Sequence, residues 1–125
     1  MVKSIITVLV SALIFIGGSI CEQVYLNNSF RNFRERLIVV YEKTEDETIT
    51  AYDVKSVQDL WIKNKKTLHV FISHNDIKEL DMWISESLNY VKQKNYGEAL
   101  DKIEVAIELT EQIPKGYLIR FENIF

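Results

Sequence analysis

Two histidines and three carboxylates lie close together in the middle of the chain and are its best candidates for metal binding. His69 and His74 are five residues apart, and Asp76, Glu79 and Asp81 come after them. Histidines that share a metal on one helix are four residues apart, because residues i and i+4 lie on the same face. The spacing of five therefore predicts no metal site. We interpret His74 as a helix-end residue and Asp76 as an acidic residue favoured by the helix dipole.

Motifs for nucleophilic catalysis and phosphate binding are missing from the sequence, which has no Gly-x-Ser-x-Gly and no glycine-rich phosphate loop. Cys21 is the only cysteine, so no intramolecular disulfide can form. We interpret it as an apolar filler, with a reactive thiol or a cross-chain disulfide as the alternative. We expect no catalytic residue, no cofactor and no metal, and therefore no enzyme. Five carboxylates have the spacing of a solvated helix face, namely Glu98, Asp101, Glu104, Glu108 and Glu111.

An apolar run from Ser4 to Cys21, framed by Lys3 and Glu22, carries no charge. As a helix its eighteen residues extend ~27 Å, close to the thickness of a hydrocarbon core. The run predicts an uncleaved signal anchor over residues 1–21 and a separate domain over residues 22–125. A cleaved signal peptide is the alternative, because small residues from Gly17 to Ser19 precede the end of the run. Ile20 and Cys21 make a poor cleavage motif.

The charges beside the run give conflicting signals about orientation. Arg31, Arg34 and Arg36 lie after the run and would hold the domain in the cytoplasm by the positive-inside rule. The three-residue segment before the run is instead typical of a signal anchor that exports the domain attached to it. We expect a single-pass protein of the cell membrane with its domain outside the cytoplasm. After residue 21 there are eighteen acidic and fourteen basic residues, which argues against nucleic acid as a partner.

The spacing of apolar residues predicts an all-α fold. The first helix covers about 28–43 and can run on from the membrane helix. Thr50 and Asp53 resemble a capping box at the start of the second helix, which reaches about Ser73. The third helix starts after Ser73, and the fourth is predicted to end at Pro114 and Gly116. Connections this short force antiparallel neighbours. The sequence therefore predicts an N-terminal transmembrane helix followed by an antiparallel up-and-down bundle of about four helices.

Two further patterns bear on packing and interaction. The apolar tail Tyr117–Phe125 is predicted to fold back as a short segment that caps the bundle, with docking on a partner as the alternative. The third and fourth helices also match one tetratricopeptide repeat. Such repeats need about three copies to bury a core, so the match indicates a tightly packed antiparallel hairpin. The matching positions are Trp83, Ser87, Tyr90, Ala99, Ile103 and Ala106.

The whole chain resembles the bacterial family called domain of unknown function 4363. The resemblance rests on the anchor, Trp61, the stretch 71–74, the hairpin ending at Pro114 and the closing residues 122–125. It implies a membrane-anchored helical protein with no established activity and with a membrane partner. In that family an acidic residue often precedes the histidine, whereas Ser73 precedes His74 here, which weakens the idea of an Asp–His pair. Trp61, His74 and Asn123 are the positions to test first.

The leading hypothesis is a membrane-anchored, non-enzymatic helical interaction protein that acts with another membrane or envelope protein. One alternative is an extracytoplasmic bundle that binds a small ligand or senses it between its helices. A second alternative is a cytoplasm-facing adaptor of the tetratricopeptide type. The residues predicted to serve interaction or packing are Trp61, His74, Trp83, Tyr90, Phe121, Asn123 and Phe125.

Overall fold

The structure is a computed structural model that describes the backbone of residues 1–124 and the side chains of residues 1–116. Its helices are α1 (Val2–Glu45), α2 (Ala51–Leu68), α3 (His74–Lys92) and α4 (Tyr96–Ile124). α4 packs against α1 and α3, and α2 packs against the same two helices. Each helix thus lies beside its neighbours in sequence and α4 returns to α1. This is the predicted all-α, antiparallel up-and-down bundle.

α1 has two halves of different character within one helix of 44 residues. Its first half contains a strongly apolar stretch of eighteen residues, none of which is buried in the bundle. This helix is long and apolar enough to cross a membrane. The second half turns a regular apolar stripe towards the other helices, with Leu26, Phe30, Phe33 and Leu37 buried. α1 runs through Asn27–Ser29 without interruption, so the helix predicted over about 28–43 is continuous with the apolar run.

The core of the bundle is filled by apolar side chains from all four helices. The helices bury residues at the three- and four-residue spacing that their sequences show. α4 packs closely against α3 and α1, and its small residues Ala99 and Ala106 are fully buried. The largest fully buried side chains include Phe30, Phe33, Leu26, Leu37, Leu80, Ile84 and Ile103.

Local signals at the helix ends explain where α2 and α3 begin. The predicted capping box is present, since Asp53 N–H donates to Thr50 Oγ1 at 3.2 Å and Thr50 N–H donates to Asp53 Oδ2 at 3.0 Å. Ser73 caps α3 by accepting from Asp76 N–H at 3.3 Å. Residues that come after α1 and α3, Glu47 and Lys94, adopt left-handed φ values of 58° and 62°. These residues close the two turns at one end of the bundle.

Two predicted helix ends were wrong. α2 ends at Leu68 rather than near Ser73, because Phe71 and Ile72 N–H turn back to the Leu68 carbonyl and Ile72 still packs into the core. α4 does not end at Pro114 and Gly116 but continues to Ile124. Residues 117–124 therefore extend α4 and are not a separate segment that folds back.

Candidate functional site

Trp61 holds three helices together. Its ring is 3% exposed and packs against Phe33 of α1 at 5.3 Å between ring centroids. Its Nε1–H donates to Asp81 Oδ1 of α3 at 2.8 Å, and Lys65 Nζ lies 3.4 Å from the other oxygen of Asp81. A buried indole N–H with a carboxylate partner satisfies its one donor. The structure therefore gives Trp61 a packing role.

Trp83 and Tyr90 lie on α3 and are half-buried on the bundle's packed surface. Lys102 Nζ of α4 lies 5.0 Å from the centre of the Trp83 ring, in the range of a cation–π contact. The same ammonium group is 3.9 Å from Glu86 Oε2. Trp83 thus contacts α4 through Lys102, and Tyr90 packs against the core of the bundle.

His74 is the first residue of α3 and is exposed. The turn before it brings its ring onto that of His69, with 5.9 Å between centroids in a stacked arrangement. Sequence spacing on a single helix could not show this contact, because the two residues are on opposite sides of a turn. Within the described side chains, no group of three His, Cys, Asp or Glu could hold a metal ion.

The other predicted residues are three whose side chains the structure does not describe. The side chains of Phe121, Asn123 and Phe125 lie outside the described residues. Of the other four, Trp61 and His74 lie on the α2–α3 side, while Trp83 and Tyr90 belong to the α3–α4 hairpin. The structure therefore does not gather the predicted residues into one site.

A polar contact that the sequence did not reveal joins α1 to α4. Arg34 Nη2 donates to the Thr110 backbone carbonyl at 2.8 Å, and Arg34 Nε donates to Thr110 Oγ1 at 3.1 Å. Thr110 is fully buried, and its hydroxyl donates to the Ile107 carbonyl at 2.6 Å. Because Pro114 has no N–H, the Thr110 carbonyl lacks its usual partner four residues later in α4. Arg34 takes the place of that partner.

A surface cleft of about 260 Å³ lies beside this contact. Its rim offers amide, guanidinium and ammonium donors together with one carboxylate, so it is suited to polar contacts. Asn28 Oδ1 already accepts from Arg31 Nη2 at 3.3 Å. The lining residues are Asn27, Asn28, Arg31, Arg34, Glu111, Pro114 and Lys115.

The two ends of the bundle differ in chemistry. The end formed by the α1–α2 and α3–α4 connections, here called the head, carries the Thr50–Asp53 capping box. There Lys43 Nζ donates to Asp53 Oδ1 at 2.9 Å. The Lys43 hydrogen bond and the Thr50 N–H lower the pKa of Asp53 below its ordinary value. A head cleft of about 240 Å³ is lined by Ile49, Thr50, Ala51, Val54, Val91, Lys92, Lys94 and Tyr96.

The opposite end, here called the base, consists of residues 69–73 of the α2–α3 turn and the neighbouring Val24 and Tyr25 of α1. The rings of Phe71 and Tyr25 lie 5.6 Å apart. Val70 is 77% exposed at the turn, and Val24 and Ile20 are about half exposed. The base therefore presents apolar surface immediately beside the point where the apolar half of α1 leaves the bundle.

Comparison with known proteins gives one match. The family model described as "Domain of unknown function (DUF4363)" matches residues 20–124. The search of curated proteins and the search of solved structures each found no match.

Proposed function

The chain belongs to the DUF4363 family, whose description carries no activity, and from its structure we propose a membrane-anchored, non-enzymatic helical protein that acts by binding another membrane or envelope protein. The family match covers the bundle and only the last residues of the apolar stretch. The proposed role therefore depends on the physical properties of this chain.

The continuity of α1 is the observation that carries the membrane-anchored part of the proposal. The apolar half is exposed, and an apolar surface of this size is unfavourable in water at ~25 cal/mol per Å². A bilayer removes that cost and matches the length of the stretch. The same helix then supplies the core residues Phe30 and Phe33. The bundle is thus joined to the proposed membrane span by helix rather than by a flexible linker.

The buried polar side chains of the bundle contribute to its fold. Thr44, Ser87 and Thr110 are the buried polar residues among the described side chains. Their hydroxyls donate to the carbonyls of Val40, Trp83 and Ile107 in the same helices. These groups are engaged in holding the fold. The head cleft and the cleft beside Arg34 are each smaller than usual ligand pockets of ~300–1,000 Å³, whereas an open depression of about 580 Å³ is lined by Asn75, Lys78, Glu79, Asp81 and Met82. That depression lies on the outside of α3 alone and not between helices, where the small-ligand alternative places its site.

Site-specific photo-crosslinking in living cells tests the binding role. The photoreactive residue is placed at exposed apolar positions of the bundle, Val39, Ile62 and Met82, and at the acidic control positions Asp101 and Glu104. We expect one adduct of constant size in the membrane fraction from at least one apolar position and none from the controls. The adduct should persist when the apolar half of α1 is replaced by an unrelated transmembrane helix. If every position gives only the uncrosslinked chain, the binding role is wrong.

The side of the membrane is tested separately. The proposal places the bundle outside the cytoplasm, so a C-terminal tag should be digested by protease added to wall-stripped cells. A full-length band before digestion would show that residues 1–21 are retained. Protection of the tag until the membrane is broken would place the bundle in the cytoplasm and favour the adaptor alternative.

A further inference from the structure

The base of the bundle lies level with the end of the apolar stretch of α1. Tyr25 comes four residues after Cys21, which is ~6 Å along a helix. The polar headgroup zone on each side of a bilayer is about 5–7 Å thick. A span that ends at Cys21 therefore places Tyr25 within or at the top of this zone. Since the Phe71 ring lies 5.6 Å from the Tyr25 ring, the α2–α3 turn is at the same height.

The side chains at this height are those that membrane interfaces favour. Tyrosine is enriched there because its ring is apolar and its hydroxyl is polar. Val70, at 77% exposed, is among the most exposed large apolar residues of the bundle, and Phe71 beside it is only half-buried. In water this turn would leave a valine and part of a phenylalanine ring solvated. At a membrane surface both are partly removed from water.

The charge of the surrounding segment fits an anionic surface. Between Asp59 and Asp76 the sequence has no acidic residue and three lysines, Lys63, Lys65 and Lys66. Lys65 pairs with Asp81, whereas Lys63 and Lys66 are exposed in the last turns of α2, just above the base. Basic residues near a membrane containing anionic lipids each add attraction to its surface. Glu22 on α1 and Asp76 and Glu79 on α3 oppose this attraction in part.

We propose that the α2–α3 turn is a second membrane contact, in which Val70 and Phe71 insert into the headgroup zone of the leaflet from which α1 emerges. The inference rests on the proposed membrane span of α1. Together the span and the turn attach the bundle at two points. The base of the bundle then faces the lipid surface, and the head points away from it.

Depth-dependent fluorescence quenching in the full chain tests this contact. In a Cys21→Ser background, single cysteines replace Val70, Tyr52 or Ile14 and carry an environment-sensitive fluorophore. Tyr52 is the matched control, because it is 79% exposed but lies at the head. The chain is reconstituted in vesicles of phosphatidylcholine and phosphatidylglycerol in equal amounts, with quenchers at the headgroup or deep in the acyl chains. We expect the headgroup quencher to act several-fold more strongly at position 70 than at position 52.

Quenching at position 14, in the anchor, distinguishes the proposed membrane span from the proposed second contact. Strong deep quenching at position 14 with equal, weak quenching at 70 and 52 would overturn the second contact and leave the anchor intact. Weak quenching at position 14 would overturn both the membrane span and the contact that rests on it. Quenching at 14 and 70 but not at 52 supports both.

A second measurement without the fluorophore guards against insertion that the fluorophore itself causes. The unlabelled cysteines at positions 70 and 52 are reacted with a charged, membrane-impermeant maleimide in the same vesicles. We expect position 70 to react several-fold more slowly than position 52, and the two to react alike in denaturant. Equal rates in vesicles would overturn the proposed contact.

Discussion

Arg34 and Lys43 both belong to α1, and each makes a short contact to an oxygen of a neighbouring helix. Arg34 contacts the Thr110 carbonyl at 2.8 Å, and Lys43 contacts the Asp53 carboxylate at 2.9 Å. Thr110 is fully buried in mid-helix, whereas the Lys43 side chain is 42% exposed at the head. The carbonyl has no donor within its own helix because of Pro114, while water can replace Lys43 at Asp53. Two contacts of similar length are therefore expected to differ in energy.

Replacing Arg34 with methionine should give the largest effect. Arg34→Met keeps much of the side-chain bulk but leaves the Thr110 carbonyl buried without its donor. Losing a charge-assisted partner of a buried group costs about 2–3 kcal/mol. We expect the free energy of unfolding to fall by this amount in urea denaturation of the full chain in lipid nanodiscs, followed by circular dichroism. A change near zero would mean that water reaches the Thr110 carbonyl.

Restoring the missing N–H should reduce that loss. Pro114→Ala allows residue 114 to donate to the Thr110 carbonyl, as in an ordinary helix. In this background we expect Arg34→Met to cost only about 1 kcal/mol, from the lost hydroxyl contact and packing. The double-mutant cycle measures the difference. Equal costs of Arg34→Met in both backgrounds would show that Arg34 does not act through the carbonyl.

The Asp53 contact should make the free energy of unfolding depend on pH. Because the folded state lowers the pKa of Asp53, the ionised group stabilises the fold above the pKa of the unfolded chain. This contribution is lost as the pH falls through the lower, folded pKa. We therefore expect the stability difference between the native chain and Asp53→Asn to shrink from about pH 6 to about pH 3. A difference that stays constant over this range would exclude ionisation of Asp53 as its source.

Removing the lysine should give the smallest effect. Lys43→Met deletes a partly exposed ion pair, for which about 0–1 kcal/mol is typical. The Thr50–Asp53 capping box remains in this variant. We expect the loss to decrease further in high salt, since exposed pairs are screened. A loss of stability as large as that of Arg34→Met would contradict the expectation that the buried Arg34–Thr110 contact contributes more than the exposed Lys43–Asp53 contact.

Local patterns in the sequence were sufficient for most of the fold. The stripe through Phe30, Phe33 and Leu37 predicted the buried face of α1, and the Thr50–Asp53 pair predicted the start of α2. The predicted helix end at Pro114 was wrong, because the rule that proline ends a helix considers only the hydrogen bonds within that helix. The donor that makes the proline tolerable is 76 residues away from Thr110 in sequence. No local rule can detect such a partner.

The candidate surfaces were harder to predict for the same reason. The stretch from Leu68 to Ile72 continues the apolar pattern of α2, so nothing in that pattern indicated that a turn would expose Val70. The stacking of His69 on His74 and the contact of Phe71 with Tyr25 both depend on that turn. Trp61 packs on Phe33 of α1 and donates to Asp81 of α3, and the apolar pattern of α2 alone could not indicate either partner.

The uninterrupted helix of α1 has a rotational consequence. A helix turns by ~100° per residue, so the angle at which the bundle faces its surroundings is fixed by the number of residues between Cys21 and Leu26. One inserted alanine would turn the bundle by ~100° about the helix axis, whereas seven would return it to within ~20° while raising it by ~10 Å. Binding to a partner held in the same membrane should therefore depend on the angle through which each insertion turns the bundle. The anchor therefore fixes the rotational orientation of the bundle about the helix axis as well as its location at the membrane.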